Sequence, residues 1–245
     1  MLEPHLEPLD AGLRLLLFDV DQPIEWVYFP EGMIGSIVGV MADGTAVETA
    51  TIGHEGMVGL PVFLGTDRTS LQAFCQVPGP ALRMRASAFR EAIGRLPELR
   101  RLLNCFTQAL LTLVGQNSAC NRVHMMTERC ARWLLMTHDR VGGDDFTLTH
   151  QVMSQMLGVR RATVTEAMGH LQERGAISYE MGRVHIRDRA RLESLACECY
   201  TIIAREFDRL LGSEGAPPMF KRAPTSAGGL STVGDGTPRR EGDDA

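Results

Sequence analysis

The chain has 245 residues, 44% of them hydrophobic and 22% charged, and a formal net charge of −5. Those are the proportions of a soluble globular protein with enough apolar material for one large domain or two ordinary ones. No run of about 18 apolar residues is present to span a bilayer. Residues 1–10 are acidic and proline-bearing, without the basic flank and apolar block of a secretory signal, so the expected location is the cytoplasm. Six cysteines (Cys75, Cys105, Cys120, Cys130, Cys197 and Cys199) are scattered too widely for the disulfide framework of a small oxidised domain.

Residues 12–85 read as short strands separated by glycine, at 14–20, 24–29, 34–41, 46–52, 71–77 and 81–84. Asp43-Gly44 is a hairpin signal, because both residues tolerate the positive φ of a tight turn. Pro30, Gly32, Gly53, Gly56, Gly65, Pro78 and Gly79 supply further turns. Many short strands at this spacing predict an all-β roll or barrel.

The pattern changes after Pro97. Leu99, Leu103, Phe106, Leu110, Leu113, Asn117, Cys120 and His124 follow at alternating spacings of four and three, a heptad seam. Such a seam serves a helix packed on its own domain or a helix paired with a second copy. Its length of roughly 38 Å at helical rise and the polar Asn117 within it favour a homodimer, since a buried Asn can fix register. Cys120 and His124 on this face are read as packing residues. A second amphipathic helix is expected at 128–139, followed by a turn at 141–145.

Residues 147–188 carry the chemistry. Thr149 is an N-cap signal for a helix that turns Val152, Met153, Met156 and Leu157 inward and stops at Gly158. A second helix, 161–174, buries Val164, Ala167, Met168 and Leu171, and Gly175 ends it. Two helices joined by a short glycine turn make a helix-turn-helix, whose second helix can enter the major groove. Two short strands around Met181-Gly182 form a wing beside it. An αα-hairpin without DNA binding is the commoner object. Against it, the polar face of the second helix begins with arginines and threonines, groups suited to phosphate oxygens and base edges. The negative total charge is not an obstacle, since residues 160–191 hold seven arginines against four acids. Residues 213–245 are rich in Gly, Pro, Ser and Thr and are expected to be a disordered tail.

The run Leu148-Thr149-His150-Gln151-Val152-Met153-Ser154-Gln155-Met156-Leu157-Gly158-Val159-Arg160-Arg161-Ala162-Thr163-Val164-Thr165 closely resembles the helix-turn-helix signature of the Crp/Fnr family. Flanking runs resemble one subgroup of it: Glu55-Gly56-Met57-Val58-Gly59-Leu60, Cys120-Asn121-Arg122-Val123-His124, Arg132-Trp133-Leu134-Leu135, His138-Asp139-Arg140 and Cys197-Glu198-Cys199-Tyr200. The resemblance implies an α+β protein. It would have a β-roll sensor of the cyclic-nucleotide-binding, jelly-roll type at 1–97 and a long dimerisation helix at 98–125. A winged helix-turn-helix domain at 126–212 and the tail would follow.

The same resemblance places Arg161, Ala162 and Glu166 where the family keeps its base-reading side chains. Arginine is the strongest of these, since its fork can bond guanine O6 and N7 together. Ala162 departs from the acid usual there and offers only apolar contact, so the target sequence should differ. Arg160, Thr163 and Thr149 are expected at phosphates, which position the helix without specifying sequence. The implied partners are pseudo-palindromic double-stranded DNA, a second copy of the chain, and RNA polymerase. No membrane is implied.

The sensor is harder to read. Gly59 is followed by Leu60, so the carboxylate that would hold a cyclic nucleotide's ribose is missing, and Arg68-Thr69 is at best a remnant of the phosphate pair. A cyclic nucleotide is therefore disfavoured, and no cofactor is expected. No cysteine precedes Cys75, against an N-terminal Fe–S cluster, and His54 alone is a weak haem ligand. Cys197-Glu198-Cys199, expected on a C-terminal helix where the two thiols would diverge, is read as structural, so no metal site is expected. A cupin-like enzyme would need several histidines and a carboxylate on neighbouring strands, but the β region offers only His54. No enzymatic activity is expected. A dimeric scaffold that has lost DNA binding is opposed by the intact run from Arg160 to Thr165.

Overall fold

The computed structural model describes residues 2–212 and residue 220. The expected tail at 213–245 lies, residue 220 apart, outside the described residues. Phe220 itself is buried, edge-on to Phe207 with ring centroids 5.3 Å apart and 5.1 Å from the Arg140 guanidinium.

The N-terminal part is a roll of two antiparallel sheets. One joins β1 (Glu7–Ala11), β7 (Gly79–Arg85) and β3 (Trp26–Pro30) in that spatial order. The other joins β2 (Leu16–Phe18), β6 (Leu71–Val77), β4 (Ile34–Val40) and β5 (Ala46–Ile52). Val27, Ile34, Val38, Ala73, Cys75 and Met84 point inward and are fully buried. The strand at Glu7–Ala11 is not among those expected from sequence. Pro8 cannot donate to a ladder, but β1 is an edge strand and tolerates it.

A one-turn α1 (Leu60–Phe63) and α2 (Ala86–Ile93) lead to α3 (Pro97–Val123), with proline at its first position, where no N–H is needed. At 27 residues α3 is about 40 Å long. It ends at His124, where ψ opens to 149°, and α4 (Met126–His138) begins after a capping contact from Met125 N–H to Glu128. Next come β8 (Asp145–Thr147), α5 (His150–Leu157), α6 (Arg161–Glu173), β9 (Ile177–Glu180), β10 (Arg183–Ile186), α7 (Arg189–Leu195) and α8 (Cys199–Leu211). β8, β10 and β9 form a small antiparallel sheet, one strand more than the wing expected from sequence.

The heptad seam requires a correction. Leu103, Phe106, Leu113 and Cys120 are buried inside their own chain, and Leu99, Leu110 and Asn117 are partly so. Phe106 lies so close over Gly56 that any Cβ there would overlap its ring. Asn117 donates to the Thr49 carbonyl at 2.9 Å and accepts from Arg132 at 2.7 Å. It therefore ties α3 to the roll and to α4. A heptad records that one helix face is buried and leaves open what covers it. Here α8 and the roll cover it.

One continuous core runs from the roll through α3 and α4 into the helix-turn-helix. Polar contacts bridge the same boundary. Arg140 clamps Glu55 at 2.7 Å with both side chains 1% exposed, and Glu55 also accepts from Gly53 N–H at 3.1 Å. Burial alone would raise the Glu55 carboxyl. The charge and hydrogen bonds of Arg140 outweigh it and hold that carboxyl below its ordinary range. Trp133 donates its indole N–H to Glu48 at 2.7 Å, and Ser36 donates to the same carboxylate at 2.7 Å. For Glu48 burial wins over those bonds and over nearby Arg132 and Arg140, and its pKa rises to about 7.

Candidate nucleic-acid interface

Thr149 caps α5 as its sequence position implies, its hydroxyl accepting the Val152 N–H at 3.2 Å. Gly158 ends that helix at φ 64°, a left-handed conformation that glycine adopts without strain. Arg160 then takes the N-cap position of α6 in extended geometry. Val164, Ala167, Met168 and Leu171 are buried against α4 and α5, which fixes how α6 is rotated.

That rotation turns Arg160, Arg161, Ala162, Thr165, Glu166 and His170 outward, while Thr163 is half-buried. Among the described residues, neither the Arg160 nor the Arg161 side chain has a protein hydrogen bond or ion pair. Both stand at the positive end of the helix dipole, an arrangement that accumulates positive potential for a polyanion. The structure thus brings the expected base-reading residues Arg161, Ala162 and Glu166 onto one exposed face, with Arg160 and Thr163 beside them. Thr149 lies exposed at the start of α5.

The wing is braced against this unit. His150 stacks on Tyr179 with centroids 4.3 Å apart and shares a 2.9 Å hydrogen bond with Thr165. Burial, followed by the charge of Arg161, lowers the His150 pKa below its ordinary value. Met181 (φ 48°) and Gly182 (φ 81°) make the wing turn, and Met181 is fully exposed at its tip.

The α5 face of the unit packs back on the roll. Val47 of β5 would touch a Cβ at Gly158, Arg14 donates to Gln155 at 3.4 Å, and Ser36 lies 3.4 Å from the Met156 sulfur. Beside this contact is a cleft lined by Leu16, Phe74, Gln76, Val152 and Met156. The buried Gln76 amide has no protein partner on either polar atom among the described residues. Sequence reasoning missed this contact surface, because its members are scattered through five elements with no local signal.

The expected effector remnant is less suggestive in place. Gly59 adopts φ 104° at the start of α1. Arg68 spends a guanidinium N–H on the Asp21 carbonyl at 2.9 Å, and Thr69 accepts from Leu71 N–H at 3.3 Å.

Cys120, His124, Cys197 and Cys199 also require a correction. The sequence reading puts both thiols of Cys197-Glu198-Cys199 on one helix, diverging. In the structure α8 begins only at Cys199, with Glu198 as its N-cap, and Cys197 sits in the link after α7. Both thiols therefore converge on α3, and the four potential ligand atoms of Cys120, His124, Cys197 and Cys199 all lie within 4.8 Å of one another.

Residues 128–195 match the family model of the Crp-like helix-turn-helix domain. No curated protein matches the sequence. Many solved structures share the fold. FixK2 from Bradyrhizobium japonicum is 19% identical with a TM-score of 0.67, and the match covers 78% of this chain and 98% of that one. A Crp/Fnr family transcriptional regulator from Thermus thermophilus is also 19% identical, with a TM-score of 0.61 and coverage of 78% and 97%. CLP, a c-di-GMP-responsive regulator from Xanthomonas campestris, is 14% identical with a TM-score of 0.59 over 75% and 94%. The structural likeness establishes the fold, and the match at residues 128–195 establishes the DNA-binding module. The chain thus carries a Crp-like helix-turn-helix domain on a fold that it shares with solved regulators of the Crp/Fnr family.

Proposed function

We propose that this DNA-binding regulator acts as a homodimer on a pseudo-palindromic site, with α6 of each copy in a major groove about 34 Å from its mate. The observation that carries this reading is the outer face of α6, where two exposed arginines, unpaired among the described residues, lead a helix N-terminus. Arg161 and Glu166 read base edges, Ala162 contributes apolar contact, and Arg160, Thr163 and Thr149 hold phosphates.

Leu111 and Val114 stay 63% and 39% exposed on α3, one helical face away from the buried seam, and form the dimer contact. Bound to DNA in the cytoplasm, the dimer meets RNA polymerase and acts by binding, without catalysing a reaction. Among the described residues no helix is long and apolar enough to cross a membrane. A cyclic nucleotide is not the favoured signal, because Arg68 is engaged with Asp21 and Leu60 stands where a carboxylate would be needed. A small ligand with an amide-complementary group fits the Gln76 cleft better. It would shift the balance between docked and released helix-turn-helix by preferring one of them.

Selection of bound duplexes from a random pool, followed by gel-shift titration at several salt concentrations, tests the reading. It expects a two-fold symmetric site and affinity that falls steeply with salt. Failure to bind any duplex at low ionic strength would overturn it.

A further inference from the structure

We propose that Cys120, His124, Cys197 and Cys199 form a closed Cys3His site for one zinc ion, clamping the end of α3 to the start of α8. The thiols are 0–5% exposed, they cluster apart from the main core, and no disulfide joins them. Cys120 Sγ is 3.5 Å from Cys197 Sγ, and Cys199 Sγ is 3.5 Å from His124 Nδ1. Zinc binds thiolate at about 2.3 Å and imidazole at about 2.0–2.1 Å, so the edges of its tetrahedron are about 3.5–3.8 Å. The convergence therefore has the dimensions of one tetrahedral ion. It is too tight to surround an iron–sulfur cluster, which needs its sulfurs spread around several irons.

The surroundings fit the same ion. A ligating histidine usually donates its other ring N–H to a carboxylate, and His124 Nε2 faces Glu198 at 3.2 Å, leaving Nδ1 toward the thiols. Gln116 donates to Cys199 Sγ at 3.1 Å. Three thiolates and an imidazole are a soft donor set with no open position, the pattern of structural zinc. Cys120 on α3 and His124 at its C-cap stand at i and i+4, while Cys197 precedes α8 and Cys199 opens it. The ion would thus fasten the chain next to His124, where α3 hands over to α4.

The test is metal content of the full-length protein, purified reduced and dialysed against Zn2+. Close to one ion per chain is expected, falling to background in Cys120→Ser and Cys199→Ser. It should be unchanged in Cys105→Ser, whose thiol lies elsewhere on α3. Far-UV circular dichroism identifies any variant that fails to fold, and Glu198→Gln then carries the test, with Zn2+ affinity expected to fall 10–100-fold. Co2+ in place of Zn2+ should give a thiolate charge-transfer band and tetrahedral ligand-field absorption. Substoichiometric zinc after dialysis overturns the proposal, as do full zinc in both serine variants or thiols that oxidise equally fast with and without Zn2+. Every readout is taken without DNA, so failure here is distinct from failure of the proposed dimeric DNA reading.

Discussion

Charge is handled in opposite ways at the two faces of the C-terminal half. Where it meets the roll, Glu55 and Arg140 are sealed together and Glu48 is enclosed by Ser36 and Trp133, while within the C-terminal half itself Asp139 is held by Arg189 at 2.6 Å and Tyr200 at 2.9 Å. On the outer face of α6, Arg160 and Arg161 stand in solvent, without side-chain partners among the described residues. A buried pair contributes mostly through what its loss would strand, because an unpaired charge cannot be rehydrated there. An exposed arginine contributes little to folding and remains free for a polyanion. The first set should therefore govern stability, and the second affinity.

The sharpest way to break this contrast is Glu55→Gln, which leaves the Arg140 charge buried. It should cost about 3–5 kcal/mol of unfolding free energy, read by urea denaturation, and a loss no larger than that of a surface substitution would refute the assignment. Next comes pH. The Glu48 carboxyl titrates at about 7 when folded against 4.5 as its ordinary value. Between those values the folded chain keeps a proton that the unfolded chain has lost. The stabilisation is complete below the lower value and lost as pH rises through the upper one. At about 1.4 kcal/mol per pKa unit, wild type should lose on the order of 2–3 kcal/mol relative to Glu48→Gln between pH 4.5 and 7.5. Parallel stability curves for the two proteins would contradict it.

On the other face, Arg161→Ala should leave the melting temperature unchanged and cost about 1–3 kcal/mol of DNA binding, with relaxed preference at one base pair. Arg160→Ala should weaken all duplexes alike and lower the salt slope by about one, as loss of a phosphate contact does. An altered base preference in Arg160→Ala would mean that the two arginines exchange roles. Leu111→Glu sharpens the dimer part. Sedimentation should show monomers, with operator affinity reduced and the fold intact.

What the sequence made legible was local. Thr149, Gly158 and Gly175 mark helix ends within a few residues of the apolar positions they serve, and the helix-turn-helix and its outward face could be read directly. The hairpin at Asp43-Gly44 was equally plain. What it hid was pairing at a distance. Glu55 and Arg140, Cys120 and Cys197, and Asp139 and Arg189 are 50–85 residues apart. Each looks ordinary until the fold joins them. The buried face of α3 was visible as a periodicity, yet its covering by the roll and α8 was not. The convergence of Cys197 and Cys199 turned on where α8 begins, and a shift of two residues in a helix start decides whether two side chains meet or part.

The enclosure of Trp133 has a practical consequence. Its ring is buried at the boundary between roll and helix-turn-helix with its N–H on Glu48, while the other tryptophan, Trp26, lies between Arg83 and Arg85 at 4.0 and 3.9 Å on the far sheet. The molecule thus carries an intrinsic fluorophore where its halves meet and a reference fluorophore remote from that junction. With Trp26→Phe, emission from the remaining indole would report, without any attached dye, each separation of the halves.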